Sequence, residues 1–520
     1  MLNFNSTAMK NIRIIFLTII ISGFLNSCTD NMDVNPADQV SSGSLGETAD
    51  GIINVTNGNY ALFKDGLEFQ GFQDDNNCYV RQFFQLSDFS SDDIVCGQKT
   101  EDPLYYSFTY THSPDQPNSR YFWYASYKII NGANTVIEII EKKAEQTDEL
   151  KQLLGENYFL RAFSMFNLVR FYAKPYATGN PATDPGIILR RSTSEPGDKA
   201  RASVQETYDA ILEDLLKAEE LMKPALSRGK EFASIGAAQA LLSRVYLYMN
   251  DYDNCIKYSD LVIGSGKYAL ETESTFPDYF PNAINHEETI WLIAFTESDN
   301  RGKFGSIASM LYTDGNSGWG EEYASPSYRK LLSNNLSDVR WSYIDTLYKE
   351  GSLVVDKKNG IEIFYVTKFS FQGGDPNLSS PVMFRLSEMY LNRAEAYAKK
   401  TGFDAQALDD LNEIRKNRGL QDDLYVSVPA GKTMLEVVLD EKRLEFAFEG
   451  HRFFDVFRNK INMDRNYWGY HILGLTVGDI NLSTNPPASI DNLIIPWDAS
   501  SKIYFIPIDE INANKLCEQN

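Results

Sequence analysis

Three glutamates, Glu441, Glu445 and Glu449, recur every four residues in the run TMLEVVLDEKRLEFAFEGHRFFDVFR, residues 433–458. That spacing lays side chains along one stripe of a helix, and Arg443, Arg452 and Arg458 stand close by. Carboxylates so placed have two chemical uses. A pair with different proton affinities can serve as general acid and base. A buried set matched by guanidinium groups instead locks elements together. No isolated carboxylate in an apolar setting stands out here, so the second reading is adopted. Glu441, Arg443, Glu445, Glu449 and Arg452 are expected to form a structural charge network, and no residue is given a catalytic role.

Other chemistries fail for want of one residue. His286-Glu287 starts like a zinc-protease helix, but Ile290 stands where the second histidine is needed. Gly431-Lys432-Thr433 ends like a phosphate loop whose first glycine is replaced by Val426. Asp251-x-Asp253 lacks the glycine and final glutamate of a calcium loop, and no G-x-S-x-G elbow is present. No metal and no cofactor are therefore expected. Of the histidines, His451 lies inside the charged run and reads as a core residue. A glycosidase needs only two carboxylates, so a secreted glycoside hydrolase stays open as an alternative, although no motif points to a pair.

Binding is the chemistry that remains. Sugar rings lay C–H faces on aromatic rings while their hydroxyls seek amide, carboxylate and guanidinium partners. Two stretches mix these residue types, 73–106 and 314–323. In the second, Trp319 lies among glycines with Asn316, Glu321, Glu322 and Tyr323 beside it. The expected ligand contacts are Trp319, Tyr323 and Asn316 from this stretch, and Tyr79, Tyr105 and Tyr106 from the first. Trp291, in an alternating strand, and Trp341 read as core; Trp468 and Trp497 stay undecided.

Helices must position these loops. Thr433 and Glu436 have capping-box spacing, and Gly450 is the expected stop of a buried helix between them. Helical patterns also cover 48–62, 121–144, 148–172, 204–222, 234–249 and 251–263. ALLSRVYLYMNDYDNCIKYSDLVI has a tetratricopeptide look, and MYLNRAEAYAKKTGFDAQALDDLNEIRKNRG repeats its grammar. Each such hairpin has a face it cannot bury alone, so the hairpins are expected to stack. Residues 64–118 read as long loops with short strands, while 287–293 and 361–371 alternate as strands. The elements read as a mainly α fold class: a scaffold of stacked helical hairpins interrupted by loop-rich regions. Scaffold segments are 49–62, 120–265 and 381–458; the loop regions are 63–119, 266–380 and 459–520.

The 520 residues carry 49 Lys+Arg against 71 Asp+Glu, a net charge of −22. A nucleic-acid binder needs a basic footprint, so nucleic acid is excluded as a partner. Lys10 and Arg13 precede an apolar run that reaches Leu25, too short for a transmembrane helix. It ends Leu25-Asn26-Ser27-Cys28, similar to a bacterial lipobox, which makes Cys28 the lipidated residue after a signal peptide of residues 1–27. An ordinary cleaved signal peptide is the alternative. Met9 makes a more natural start than Met1. Residues 28–48 read as a flexible tether, and 49–520 as a single unit. Cys78 and Cys96 are the only local cysteine pair, either bridged or buried as thiols.

EKRLEFAFEGHRFFDVFR resembles the C-terminal signature of the SusD/RagB family, nutrient-binding outer-membrane lipoproteins. Other stretches resemble the family in order: Gln85-Leu86-Ser87-Asp88 with Ser91-Asp92-Asp93, GENYFLRAFSMFNLVRFYAKPY, SPSYRKLL with Asp338-Val339-Arg340, and the ending YFIPIDEINANKLCEQN. At 173–176, Ala-Lys-Pro-Tyr replaces the family's commoner Gly-Asp-x-Pro turn. The resemblance implies a mainly α scaffold of tetratricopeptide-like hairpins forming an α-α superhelix, with a loop-rich half that carries the ligand, in a non-enzymatic, lipid-anchored protein of the cell outer membrane that faces outwards. It implies capture of an oligosaccharide and its delivery to a SusC-like, TonB-dependent transporter. A peptide ligand, as in the RagB branch, is the alternative.

Overall fold

The computed structural model describes residues 46, 48–69, 72–73, 77–96, 104–195, 197–345, 348–349, 352–353, 357–358, 361–402, 405–465 and 494–520. Two compact units are distinguished, Met1–Ile52 and Ile53–Asn520. Cys28, the leader and nearly all of the tether lie outside the described residues.

The helices are α1 (Ala49–Ala61), α2 (Tyr79–Asp88), α3 (Leu104–Thr109), α4 (Pro117–Glu141), α5 (Asp148–Tyr172), α6 (Val204–Leu221), α7 (Ile235–Tyr248), α8 (Tyr252–Gly264), α9 (Gly302–Gly305), α10 (Pro326–Leu332), α11 (Leu386–Thr401), α12 (Ala405–Asn417), α13 (Met434–Phe446), α14 (Arg452–Arg458) and α15 (Ile508–Ala513). Their starts follow local chemistry. Thr147, Ser234 and Asp251 each accept a backbone N–H from the first turn, while Ser203 with Glu206 and Thr433 with Glu436 form reciprocal capping boxes.

The long helices pack in sequence, α4 on α5, α5 on α6, α6 on α7 and α7 on α8. Every residue from Gln152 to Tyr172 of α5 is buried, so this helix is the axis of the scaffold. The array then skips more than a hundred residues: α8 packs directly on α11, which pairs with α12 and α13. The two tetratricopeptide-like hairpins therefore stack on each other. Arg244 of α7 bonds the Glu388 carboxylate of α11 at 2.6 Å, both side chains buried. Arg393 reaches across to Asp260.

Strands are short. β1 (Ile94–Cys96) pairs antiparallel with β3 (Glu322–Ala324), placing Val95 opposite Tyr323. β2 (Thr289–Leu292) pairs with β4 (Val382–Arg385), placing Trp291 opposite Phe384. Trp291 is fully buried, with Phe159 and Phe163 of α5 each 5.0 Å away edge-on. Trp341 is half-buried. Among the described helices, none is long and apolar enough to cross a membrane.

Three expectations need correction. The stretch 64–118 contains two helices, α2 and α3. All ten residues of α2 are buried, although Arg81, Gln82, Gln85 and Asp88 alternate with Tyr79, Val80, Phe83 and Phe84 at helical spacing; the pattern lasts under three turns, too short to stand out from the aromatic strings around it. Residues 361–371 hold two strands of two residues each, not one strand. The helix after Thr433 stops at Phe446, four residues before Gly450. There Lys368 Nζ donates to the carbonyls of Glu445 (3.2 Å) and Ala447 (3.0 Å), and Arg385 Nη2 donates to that of Glu445 (2.7 Å). Buried cations thus take over the carbonyls that a longer helix would have used. Gly450 still has a left-handed φ of +75°, and a Cβ there would meet Phe83 of α2 at 2.6 Å.

Candidate functional site

The loop between β2 and β3 carries two exposed aromatics. Trp319 is 42% exposed and Phe304, at the end of α9, 56%. Their rings meet edge to face at 5.6 Å, and Lys303 Nζ lies 4.7 Å from the centre of the Trp319 ring. The backbone holds this shelf in place. The N–H groups of Trp319 and Gly320 both donate to the carbonyl of Ser309, at 2.6 and 3.1 Å. Gly318 passes so close to Tyr312 that a Cβ would lie 2.1 Å from its carbonyl oxygen. On the same segment Tyr312 packs edge-on against the exposed Phe371 at 5.1 Å.

Asn316 is exposed on the turn just before Trp319. Asp314 shapes that turn, its Oδ1 accepting the N–H groups of Asn316 and Ser317, both at 2.9 Å. The Asn316 N–H and the Ser317 hydroxyl hold the Asp314 carboxyl at about 2, so it is charged at neutral pH. The arrangement offers two ring surfaces, a cation and amide and carboxylate groups, a set suited to a ligand with flat apolar faces and many hydroxyls.

The other expected contacts are scattered. Tyr79 is fully buried in α2, and its hydroxyl meets the Asn167 side chain at 2.6 Å. Tyr323 is fully buried in β3, edge-on to Tyr365 at 5.7 Å. Neither ring can meet a ligand, because pairing and packing turned both inward. Tyr106 is 45% exposed on α3. Tyr105 precedes it, and its side chain lies outside the described residues. Sequence reasoning missed Phe304, Lys303 and Phe371. The one usable signal was glycine density, since Gly302 and Gly305 flank Lys303 and Phe304.

Beneath the loops lies the charge network. Glu445 is fully buried and accepts from Arg385 (2.5 Å), Arg418 (2.6 Å) and Arg340 (3.3 Å). Glu441 accepts from Arg340 at 2.7 Å and Arg415 at 3.2 Å. Glu449 accepts from Lys368 at 2.7 Å and Arg385 at 2.8 Å. Burial alone would raise the Glu445 pKa, but the charges of Arg418 and Arg385 outweigh it and hold the carboxyl well below its usual range. A carboxylate so held is a poor proton donor at neutral pH. Burial, reinforced by Arg244 and Lys442, pushes the neighbouring His451 well below the ordinary imidazole value, so it stays neutral.

The sequence-neighbour arginines do not serve these glutamates. Arg452 bonds both oxygens of Asp92, at 2.6 and 2.9 Å, and Arg443 bonds Asp93 at 2.6 Å. Arg458 turns to Glu395 and Asp455. The N–H of Gly450 donates to Asp88 at 2.9 Å. Cys78 and Cys96 are both buried as thiols, with no disulfide between them.

Comparison with known proteins covers most of the chain. Residues 79–247 match a family described as "Starch-binding associating with outer membrane", and residues 284–520 match the SusD family. SusD-like protein P38 of Formosa agariphila is 24% identical over 510 residues, spanning 88% of this chain and 95% of that protein. A crystal structure of a SusD superfamily protein from Bacteroides thetaiotaomicron superposes with a TM-score of 0.77 at 26% identity, covering 91% of this chain and 99% of the other. A putative sugar binding protein from Bacteroides vulgatus gives 0.72 at 26% identity, covering 91% and 98%.

Proposed function

Because this chain belongs to the SusD/RagB family, we propose that it is a nutrient-binding protein that takes an oligosaccharide at the Trp319–Phe304 shelf. The observation that carries this reading is an exposed pair of aromatic rings on a loop pinned by Ser309, while the Glu441, Glu445 and Glu449 carboxylates are buried and matched by cations. Rings already held in place lose little entropy on contact, so ring-face packing contributes its full apolar gain. The sugar-binding description of the Bacteroides vulgatus neighbour supports the same ligand class. In this proposal Cys28 carries the lipid that anchors the chain to the outer membrane, and the bound glycan passes to a SusC-like, TonB-dependent transporter. In this proposal the protein binds its ligand without transforming it, and Glu445, held ionised by Arg418 and Arg385, is a poor proton donor at neutral pH.

Trp319→Ala tests the ligand site. Anchoring aromatics lose about 2 kcal/mol on truncation, so affinity for a glycan bound by the wild type should fall at least ~30-fold. The melting temperature should hardly move, because the ring is exposed. Wild-type affinity in the variant would move the site elsewhere. A large fall in melting temperature would make Trp319 a structural residue.

A further inference from the structure

Away from the Trp319 loop, a groove of about 350 Å³ runs between α4 and the segment Pro507–Glu510 near the C-terminus. Its volume sits at the lower end of small-molecule sites, about 300–1,000 Å³. One wall is a stripe of α4: Arg120, Tyr124, Tyr127 and Asn131 follow each other at helical spacing. This stripe is not the packing face, which is formed by Phe122, Ala125, Ile129 and their neighbours. A face turned from the core is ordinarily polar; here aromatic rings occupy it. Phe69 completes the floor with its ring 5.1 Å from that of Tyr124.

The polar groups of the groove are of both signs and mostly paired. Arg120 bonds both oxygens of Asp509, at 2.7 and 3.0 Å. Arg190 donates to the carbonyls of Glu195 and Gly197. Such a rim has no field of one sign, and it disfavours a strongly charged ligand. By contrast, the hydroxyl of Tyr124 and the side-chain amide of Asn131 make no hydrogen bond among the described residues. Ring faces below and uncommitted hydroxyl and amide groups beside them match a neutral saccharide.

We propose that this groove is a second saccharide-binding site, separate from the Trp319 shelf. The proposal rests on the reading of the protein as a glycan binder, and it adds a second point of capture. Two sites on one molecule raise the effective concentration of a long chain at either one.

The test is calorimetric titration of the mature chain with maltoheptaose, cellohexaose, xylohexaose and, as a peptide probe, trialanine. Four forms are compared: wild type, Trp319→Ala, a Tyr124→Ala/Asn131→Ala double variant, and the triple variant. The expected result is residual binding of one saccharide to Trp319→Ala that weakens at least tenfold in the triple variant. Circular dichroism melts should show all four folded, and Tyr124→Phe should keep most of the groove affinity through its ring. Loss of all saccharide binding in Trp319→Ala would overturn the groove and leave the shelf standing. Residual binding that ignores Tyr124 and Asn131 would do the same. Binding lost only in the Tyr124/Asn131 variant would uphold the groove and overturn the shelf. Binding of trialanine alone, or of none of the probes, would overturn both.

Discussion

Glu445 shows what a single residue does in this protein. Its carboxylate is out of water and is matched by three guanidinium groups from separate parts of the chain. Removing it leaves Arg385 and Arg418 buried with a missing counter-charge, a defect that costs about 3 kcal/mol or more. Glu445→Ala should therefore lower unfolding free energy by about that amount in urea titration. Glycan affinity of the folded fraction should stay unchanged. Loss of binding with an unaltered transition would contradict this structural role. The stripe of glutamates was legible because helical spacing is local. Their partners were not, because Arg340, Arg385 and Arg418 reach Glu445 only through the fold. The same limit explains the tyrosines. Glycines around Trp319 signalled exposure, whereas nothing beside Tyr79 or Tyr323 told which way the backbone would turn them.

At the scale of elements, the family-like stretches prove to be halves of one another. The Ser91-Asp92-Asp93 turn supplies the carboxylates that receive Arg443 and Arg452, and Asp88 of α2 receives Gly450. The Asp338-Val339-Arg340 turn supplies a cation to Glu441. Sequence revealed each stretch as a signature, and the structure explains them jointly as contacts between elements. This contact responds to acid. Burial would raise Asp92, but Arg443 and Arg452 pull it down to about 2. A depressed carboxyl contributes stability above its unfolded pKa of about 4, and loses it as pH falls from there towards 2. Asp93 beside it is shifted upwards by burial and works in the opposite direction. Asp92→Asn should cost about 2 kcal/mol at pH 7, and its stability deficit should shrink steadily between pH 4 and pH 2. Chemical denaturation across that range measures it; a deficit independent of pH would contradict the ion-pair account.

For the molecule as a whole, helix capping and hairpin repetition made the mainly α architecture readable, including the stacking of two distant hairpins. The placement of residues 63–119 was not readable, since its two helices are short, of ten and six residues, and stand among loops of similar mixed aromatic and polar composition. Anchoring belongs to this scale too. If Cys28 carries the proposed lipid, Cys28→Ala should abolish incorporation of radiolabelled lipid and release the chain from the membrane fraction. Undiminished labelling of the variant would exclude Cys28 as the attachment point.

The bond between Arg452 and Asp92 joins residues 360 apart in sequence, and this sets an order of events during biogenesis. The entropic cost of closing a loop grows with its length, and such contacts form late. Until residues near 450 have arrived, Asp92 and Asp93 lack their counter-charges, and Asp88 lacks the N–H of Gly450. A growing chain therefore cannot complete this part of its core before residues near 450 are in place.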